Sequence, residues 1–250
     1  MNINTSQLKR LSKDTKAVQY SHMMDFPIKV LQIGEGNFLR GFFDWMIHEC
    51  NKQGHFKGSI AVTQPRPAGK GKIEEVKRQD GMYTLMLRGF QQGEKVEHTE
   101  IISVFSKIID PFEEWLEFLA LSENPELEFV VSNTTEAGIK YQPIPFEEGK
   151  PIESFPGKLT AFLYHRYLHF NGDVKKGLTM LPCELLERNG DSLKQCILKH
   201  CRDWDLPKPF MEWVDGDNLF LNSLGGRMVT EFPANESDNL FGAWGNKRSL

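Results

Sequence analysis

Residues 28–50 read IKVLQIGEGNFLRGFFDWMIHEC, and the order of chemistry within them decides the fold. Ile28, Val30, Leu31 and Ile33 make an apolar run of strand length that stops at a glycine. The turn Gly34-Glu35-Gly36-Asn37-Phe38-Leu39 follows, and Phe38, Phe42, Trp45 and Met46 then recur at helical spacing. A strand, a glycine turn and an amphipathic helix in that order open a dinucleotide-binding βαβ unit. Gly34 permits the sharp turn, and the missing side chain at Gly36 lets backbone approach a pyrophosphate. Amide groups of residues 37–39 would point at that anion with a helix dipole behind them. Leu39 replaces the motif's third glycine, so the helix is expected slightly further from the sheet. A GxG alone also fits a tight turn in any α/β protein; the flanking strand and helix favour the nucleotide.

At 250 residues the chain can bury a large core. Its 40% hydrophobic and 26% charged residues are ordinary for a globular protein. The net charge of −4, without long single-sign runs, argues against nucleic acid as a partner. No apolar run approaches the ~20 residues that span a bilayer. The first twenty residues lack the apolar middle of a signal peptide. Cys50, Cys183, Cys196 and Cys201 form no CxxC pair or other metal spacing, so free thiols in a reducing cytoplasm are expected.

Residues 1–25 read as a lead-in with a short helix near 6–11, and residues 26–250 as one nucleotide-binding domain. Residues 59–63 (SIAVT) form the expected second parallel strand. An acid at its end would select NAD through the ribose 2′-hydroxyl. Here Thr63-Gln64-Pro65-Arg66 follows: Gln64 can bond a ribose hydroxyl, while Arg66, Lys70 and Lys72 suit a 2′-phosphate or a solvated loop. Residues 83–87 read as a strand and 96–109 as one longer or two short strands, a pair inserted into the simplest order. Pro111 should begin a helix with Phe112, Trp115, Leu116 and Leu119 on one face. The strand 127–131 ends in the polar cluster SNTTEAG at 132–138, where open α/β sheets bind ligands; helix capping is its structural alternative. Residues 143–156 read as a proline-rich surface loop covering the site. Residues 158–170 form a helix on which His165 and His169 are four apart, with no third metal ligand in view. Strands at 178–181 and 218–221 flank a helix from 189 to about 204, and the last strand delivers Asn222-Ser223-Leu224-Gly225-Gly226-Arg227.

The strings GEGNFLRGFFDWMI, DGMYTLMLRG, VVSNTTEAGI, FPGKLTAFLYHRY, LPCELLERNGDSL and NSLGGRMVTEFP, taken together, resemble the N-terminal half of the tagaturonate reductase (altronate oxidoreductase) branch of the mannitol dehydrogenase family of polyol and uronate dehydrogenases. The likeness runs from about Ile28 to near the end of the chain. It implies a Rossmann-type, doubly wound and mainly parallel sheet followed by a helical C-terminal domain. It also implies metal-independent hydride transfer between NAD and a sugar acid. By position, Gly34, Gly36, Asn37 and Phe38 match the pyrophosphate loop, and Gln64 the ribose-selecting place. Asn133, Thr134 and Glu136 match the segment beside the nicotinamide, with Glu136 helping to move the proton. Cys183, Glu184, Asn189, Asn222 and Arg227 match substrate-proximal positions. Leu185 stands where mannitol dehydrogenases carry a catalytic asparagine, which disfavours simple polyol oxidation.

The family's Asn-Ser-Leu-Val-Asp-Arg is here Asn222-Ser223-Leu224-Gly225-Gly226-Arg227, without the aspartate. The family's catalytic lysine belongs to the helical domain, expected beyond residue 250. The chain alone is therefore expected to be an inactive, truncated form of an NAD-dependent enzyme interconverting tagaturonate and altronate. A fructuronate (mannonate) or hexitol dehydrogenase of the same family, or a non-catalytic dinucleotide-binding module, are the alternatives. The expected partner is a small sugar acid, with no nucleic acid, membrane or metal, in a cytoplasmic monomer or weak homo-oligomer.

Overall fold

The computed structural model describes residues 19–22, 25–134 and 138–231. The strands are β1 (Gln19–Tyr20), β2 (Ile28–Ile33), β3 (Ser59–Thr63), β4 (Tyr83–Gln91), β5 (Glu94–Ile102), β6 (Phe105–Ile109), β7 (Phe129–Ser132), β8 (Thr179–Pro182) and β9 (Leu219–Phe220). The helices are α1 (Asn37–Gly41), α2 (Phe43–Lys52), α3 (Lys70–Arg78), α4 (Trp115–Ala120), α5 (Phe155–His169), α6 (Asn189–Asp203) and α7 (Lys208–Gly216). Alternate side chains of a strand face opposite ways, and both faces here are apolar. Leu31, Ile33, Ala61, Val130 and Met180 join a core with α4, α5, α6 and α7. Val30, Ile60, Val62 and Val131 join a second core with α1, α2, α3 and the start of β6. Near-continuous apolar strands buried on two faces are the mark of a parallel sheet.

That sheet has six strands in the order β6-β3-β2-β7-β8-β9, parallel at every pairing. The chain winds outward from β2 to one edge, crosses over, and winds to the other. The expected doubly wound fold is present. A separate sheet holds β1-β5-β4. Its hairpin turns at Gln92 (φ 53°) and Gly93 (φ 86°), the pair of positive angles a tight two-residue turn requires.

Four local expectations need correction. The inserted pair is β4 with β5 alone; β6 belongs to the main sheet. Ser103 and Val104 separate them, with the Ser103 hydroxyl donating to Ser21 O (2.5 Å) and Ile60 N donating to Val104 O (2.9 Å). The helix after Gly36 is broken at Phe42 (φ −121°, ψ −76°). The helix after Pro111 begins only at Trp115, because Asp110 takes up that turn: its carboxylate accepts Phe112 N (2.9 Å) and its carbonyl accepts Glu114 N (2.7 Å). The delay rotates the buried face to Trp115 and Phe118 and leaves Leu116 72% exposed. Finally, α3 and α7 had no counterpart among the elements expected from the sequence, and Lys70 and Lys72 stand in the first turn of α3 rather than in a loop. The short helix expected near residues 6–11 lies outside the described residues.

Two buried polar devices brace the frame. Arg166 at the end of α5 donates to the carbonyls of Ser122 (2.6 Å), Asn124 (2.9 Å), Leu127 (3.3 Å) and Lys176 (2.7 Å). It thus ties the entries of β7 and β8 to one helix. The hairpin sheet is fixed to α2 by a polar seam. Tyr83 donates to Arg40 O (2.7 Å) and lies 3.2 Å from Asp44 Oδ2; Glu100 faces His48 (3.3 Å) and Lys52 (2.7 Å). Burial drives the Asp44 carboxyl up to about 8, against the pull of Gln32, Tyr83 and Arg40.

Arg166→Met should lower stability by at least ~3 kcal/mol, since it strands several buried carbonyls; a urea midpoint within error of wild type would refute this. For Asp44 the folded pKa lies above the unfolded value, so the folded state binds more protons between about pH 4 and about pH 8, and its stability falls as pH rises through that window. Asp44→Asn should shrink the loss of stability between pH 5 and pH 8, measured by urea unfolding at both.

Candidate dinucleotide site

The carboxyl ends of β2, β3 and β7 meet at Gly34. Its amide donates to Thr63 O (2.9 Å), and Asn133 N donates to Ile33 O (3.1 Å). Gly34 has φ +125°, and a Cβ there would lie 2.8 Å from Asn133 O. Both facts demand glycine. Gly36 differs: its backbone is extended (φ −70°, ψ 162°), and nothing lies within 4 Å of where a Cβ would be. That open space stands at the start of α1, where the first amides of a helix lack intrahelical partners. Between β2 and β7 the winding reverses, which is the place where such sheets bind ligands. Because α1 is only five residues long, free amides rather than a long helix dipole would meet an anion.

Asn37 Oδ1 accepts from Arg40 NH2 (2.6 Å). The Phe38 ring leans on Phe42, with centroids 5.2 Å apart, and on the backbone of Gly225, where a Cβ would fall 2.6 Å from the ring. This gives one reason for glycine at 225: a side chain there would push the ring aside. Arg227 follows, its guanidinium 4.2 Å from the centre of the Trp45 ring. The segment after β9 therefore runs along α1 and α2.

At the ends of β7 and β8 a second cluster forms. The Glu184 carboxylate, 2% exposed, accepts from Ser132 Oγ (3.1 Å), Thr134 N (3.0 Å) and Thr134 Oγ1 (2.9 Å). Burial raises its pKa and these donors oppose the rise. Asn133 Nδ2 donates to Cys183 O (2.7 Å). Buried Asn189 donates to the carbonyls of Pro182, Glu184 and Ser223 and accepts Ser223 N (3.0 Å). Asn222 Oδ1 accepts Asp191 N (3.1 Å). Burial pushes the Cys183 thiol up to about 11, so it is not a nucleophile near neutrality. Glu184 and Asn189 thus have their bonds within the protein. Glu136 lies outside the described residues.

Near β3 the situation is reversed. Gln64 is 0% exposed, yet neither atom of its amide has a partner among the described residues, and Glu35 Oε2 is equally orphaned. Both are the kind of group a ligand satisfies. Lys158, also fully buried, donates to Pro65 O (3.3 Å) and sits 4.1 Å from the centre of the Phe112 ring. Burial pulls its ammonium down to about 7, with Asp110 and Glu153 resisting. A cavity of about 210 Å³ opens beside it, lined by Pro65, Arg66, Thr134, Lys140, Glu153 and neighbours. The loop expected to cover the site lines that cavity through Ser154, but also packs away from it, with Phe146 stacked on Trp204 (4.8 Å). Sequence reasoning passed over Glu35, although a charged residue between two turn glycines was its signal. His165 and His169 lie 3.7 and 3.8 Å from Glu123, with the His165 ring also 2.8 Å from the Ser122 hydroxyl and His169 packed edge-on against Phe170, so both are engaged on the far part of α5. A dinucleotide fits these residues: the Gly36 cradle is open, and the orphaned groups lie on the glycine turn (Glu35) and at the end of the neighbouring strand (Gln64).

Strand order, switch point and glycine turn define a Rossmann-type α/β domain. The profile of the mannitol dehydrogenase Rossmann domain matches residues 28–243, and the chain belongs to the mannitol dehydrogenase family. Altronate oxidoreductase of Bacillus subtilis (strain 168) is 45% identical over 221 residues, covering 88% of this chain and 46% of the relative. The altronate oxidoreductase of Halalkalibacterium halodurans is 42% identical, covering 86% of this chain and 42% of the relative, and that of Escherichia coli O1:K1 is 40% identical, covering 84% and 44%. The chain spans about half the length of these relatives. A Pseudomonas fluorescens mannitol 2-dehydrogenase in ternary complex with NAD and D-mannitol superposes with TM-score 0.79 at 17% identity, covering 97% of this chain and 50% of that one. A substrate-free D-sorbitol dehydrogenase gives 0.74 at 19%, covering 94% and 50%. At such identities the likeness is one of fold.

The two turn glycines should separate in experiment. Gly34→Ala is expected to cost ~1–3 kcal/mol or more through its positive φ and backbone clash. Gly36→Val should stay within ~1 kcal/mol, the scale of a lost helix cap. Equal urea midpoints for the two variants would contradict this division.

Proposed function

We propose that these residues form the NAD-binding part of an oxidoreductase interconverting tagaturonate and altronate. The observation that carries the dinucleotide reading is the open cradle at Gly36, at the switch point of a parallel sheet. The sugar acid is inferred from the names of the relatives at 40–45% identity. NAD, when bound, supplies the carbon that accepts or donates hydride. Gly36 lets backbone reach the pyrophosphate, and the amides of residues 37–39 bond it. Gln64 takes the ribose end. Asn133 and Thr134 border the nicotinamide, and their bonds to Cys183 O and Glu184 hold that wall rigid. Glu136 is proposed, on family resemblance, to help move the alcohol proton. Cys183, Glu184 and Asn189 position the substrate wall rather than react. Asn222 and Arg227 are proposed to complete it from the segment after β9. A cytoplasmic setting is proposed from the four unpaired cysteines.

NADH fluorescence titration tests the first half: saturable binding by wild type, lost in Gly36→Val, is expected, and no saturable change at millimolar NADH would overturn the dinucleotide reading. For the second half, NADH oxidation by protein carrying this domain should favour tagaturonate over fructuronate and fructose. Preference for either of the others would overturn the sugar-acid assignment.

A further inference from the structure

Most buried polar groups at the carboxyl end of this sheet are satisfied within the protein, but Glu35 and Gln64 are not. Gln64 is 0% exposed and Glu35 7%, and three of their four terminal polar atoms are buried without a partner among the described residues. The two side chains converge. A Cβ on Gly69 would lie 3.1 Å from Gln64 Cβ, 3.6 Å from Gln64 Oε1 and 3.1 Å from Glu35 Oε1. The backbone explains the meeting: Ile33 and Thr63 are register partners, so the residues that follow them emerge side by side. Unmatched buried groups destabilise a fold.

We propose that Glu35, carried on the glycine turn rather than on the strand, supplies the acidic acceptor that the end of β3 lacks, and that Glu35 and Gln64 together hold the adenosine ribose diol and exclude a 2′-phosphate. This rests on the NAD reading above. The diol donates two O–H groups; the Glu35 carboxylate and Gln64 Oε1 accept them, and Gln64 Nε2 donates to a ribose oxygen. Gly69, in the turn of residues 67–69, borders both side chains. A 2′-phosphate would bring a second anion against a carboxylate shielded from water, where like charges repel strongly. Lys72, Arg40 and Arg66 pull on the Glu35 carboxylate less than its burial does, Arg66 and Lys72 being exposed and screened by solvent.

The test is the pair of dissociation constants for NADH and NADPH, measured by fluorescence titration on wild type, Glu35→Gln and Glu35→Asp, with urea midpoints confirming folding. Wild type should prefer NADH. Glu35→Gln should weaken NADH and strengthen NADPH, narrowing the ratio by about tenfold or more, the scale of a charge-assisted hydrogen bond and one relieved repulsion. Glu35→Asp should weaken NADH while still rejecting NADPH, and it carries the test should the Gln variant not fold. A ratio unchanged in Glu35→Gln, or Glu35→Asp binding NADH as wild type does, overturns the proposal and leaves the dinucleotide reading intact. Tighter NADPH binding by wild type overturns the proposal as well. Absence of saturable NADH binding by wild type overturns both.

Discussion

The approach of the Gly34 backbone to the Asn133 carbonyl is the constraint on which the rest of this structure depends. No side chain fits there, since a Cβ on Gly34 would lie 2.8 Å from the Asn133 oxygen. With the amide of Gly34 bonded to Thr63 and that of Asn133 bonded to Ile33, three strand ends share one small region. Each end then sends its loop outward from a common floor. The turn at Gly36 is free to face solvent because the turn at Gly34 has already absorbed the backbone strain. Two glycines two residues apart thus serve different masters: one serves the fold, and the other leaves room above it.

Polar burial follows a division of the same kind. Arg166, Glu184 and Asn189 are each buried and each surrounded by bonds, so their desolvation is offset where they stand. They lace strand entries or strand ends together and leave nothing for a ligand to claim. Glu35 and Gln64 are as buried but unmatched. A folded chain tolerates few such groups, and these two adjoin the open cradle. Residue type does not separate the two sets, since each contains a glutamate and an amide. Only the accounting of partners does.

The hairpin sheet adds a third element. Its attachment to α2 runs through Asp44, Tyr83, His48, Glu100 and Lys52, all polar, rather than through an apolar face alone. A carboxyl that stays protonated near neutrality can sit in that seam without the full cost of a buried charge. The helix that follows the glycine turn is thereby braced on one side by the main sheet and on the other by the insertion. The segment 222–231 lies along α1 and α2 as well, with Gly225 on Phe38 and Arg227 over Trp45.

The sequence by itself determined the strand, glycine turn and helix at residues 28–50, the later parallel strands, and the family, because these rest on local periodicity and on residues that only one backbone shape admits. Glycine at φ +125° and alternating apolar residues on a two-faced sheet are written in the chain one position at a time. Tertiary structure alone decided that β6 belongs to the main sheet, since residues 96–109 read equally as one longer or two short strands and the break at Ser103 and Val104 is fixed through partners elsewhere in the chain. It alone showed Asp110 delaying α4, a competition between a side chain and a helix start that composition leaves undecided. It also decided which carboxylates are spent on the fold and which are not. Glu184 lies in a family motif and proves fully bonded, whereas Glu35 passed unnoticed in the turn and is left with an orphaned oxygen. Hydrogen-bond satisfaction is a property of surroundings, and surroundings are assembled from residues far apart in the chain.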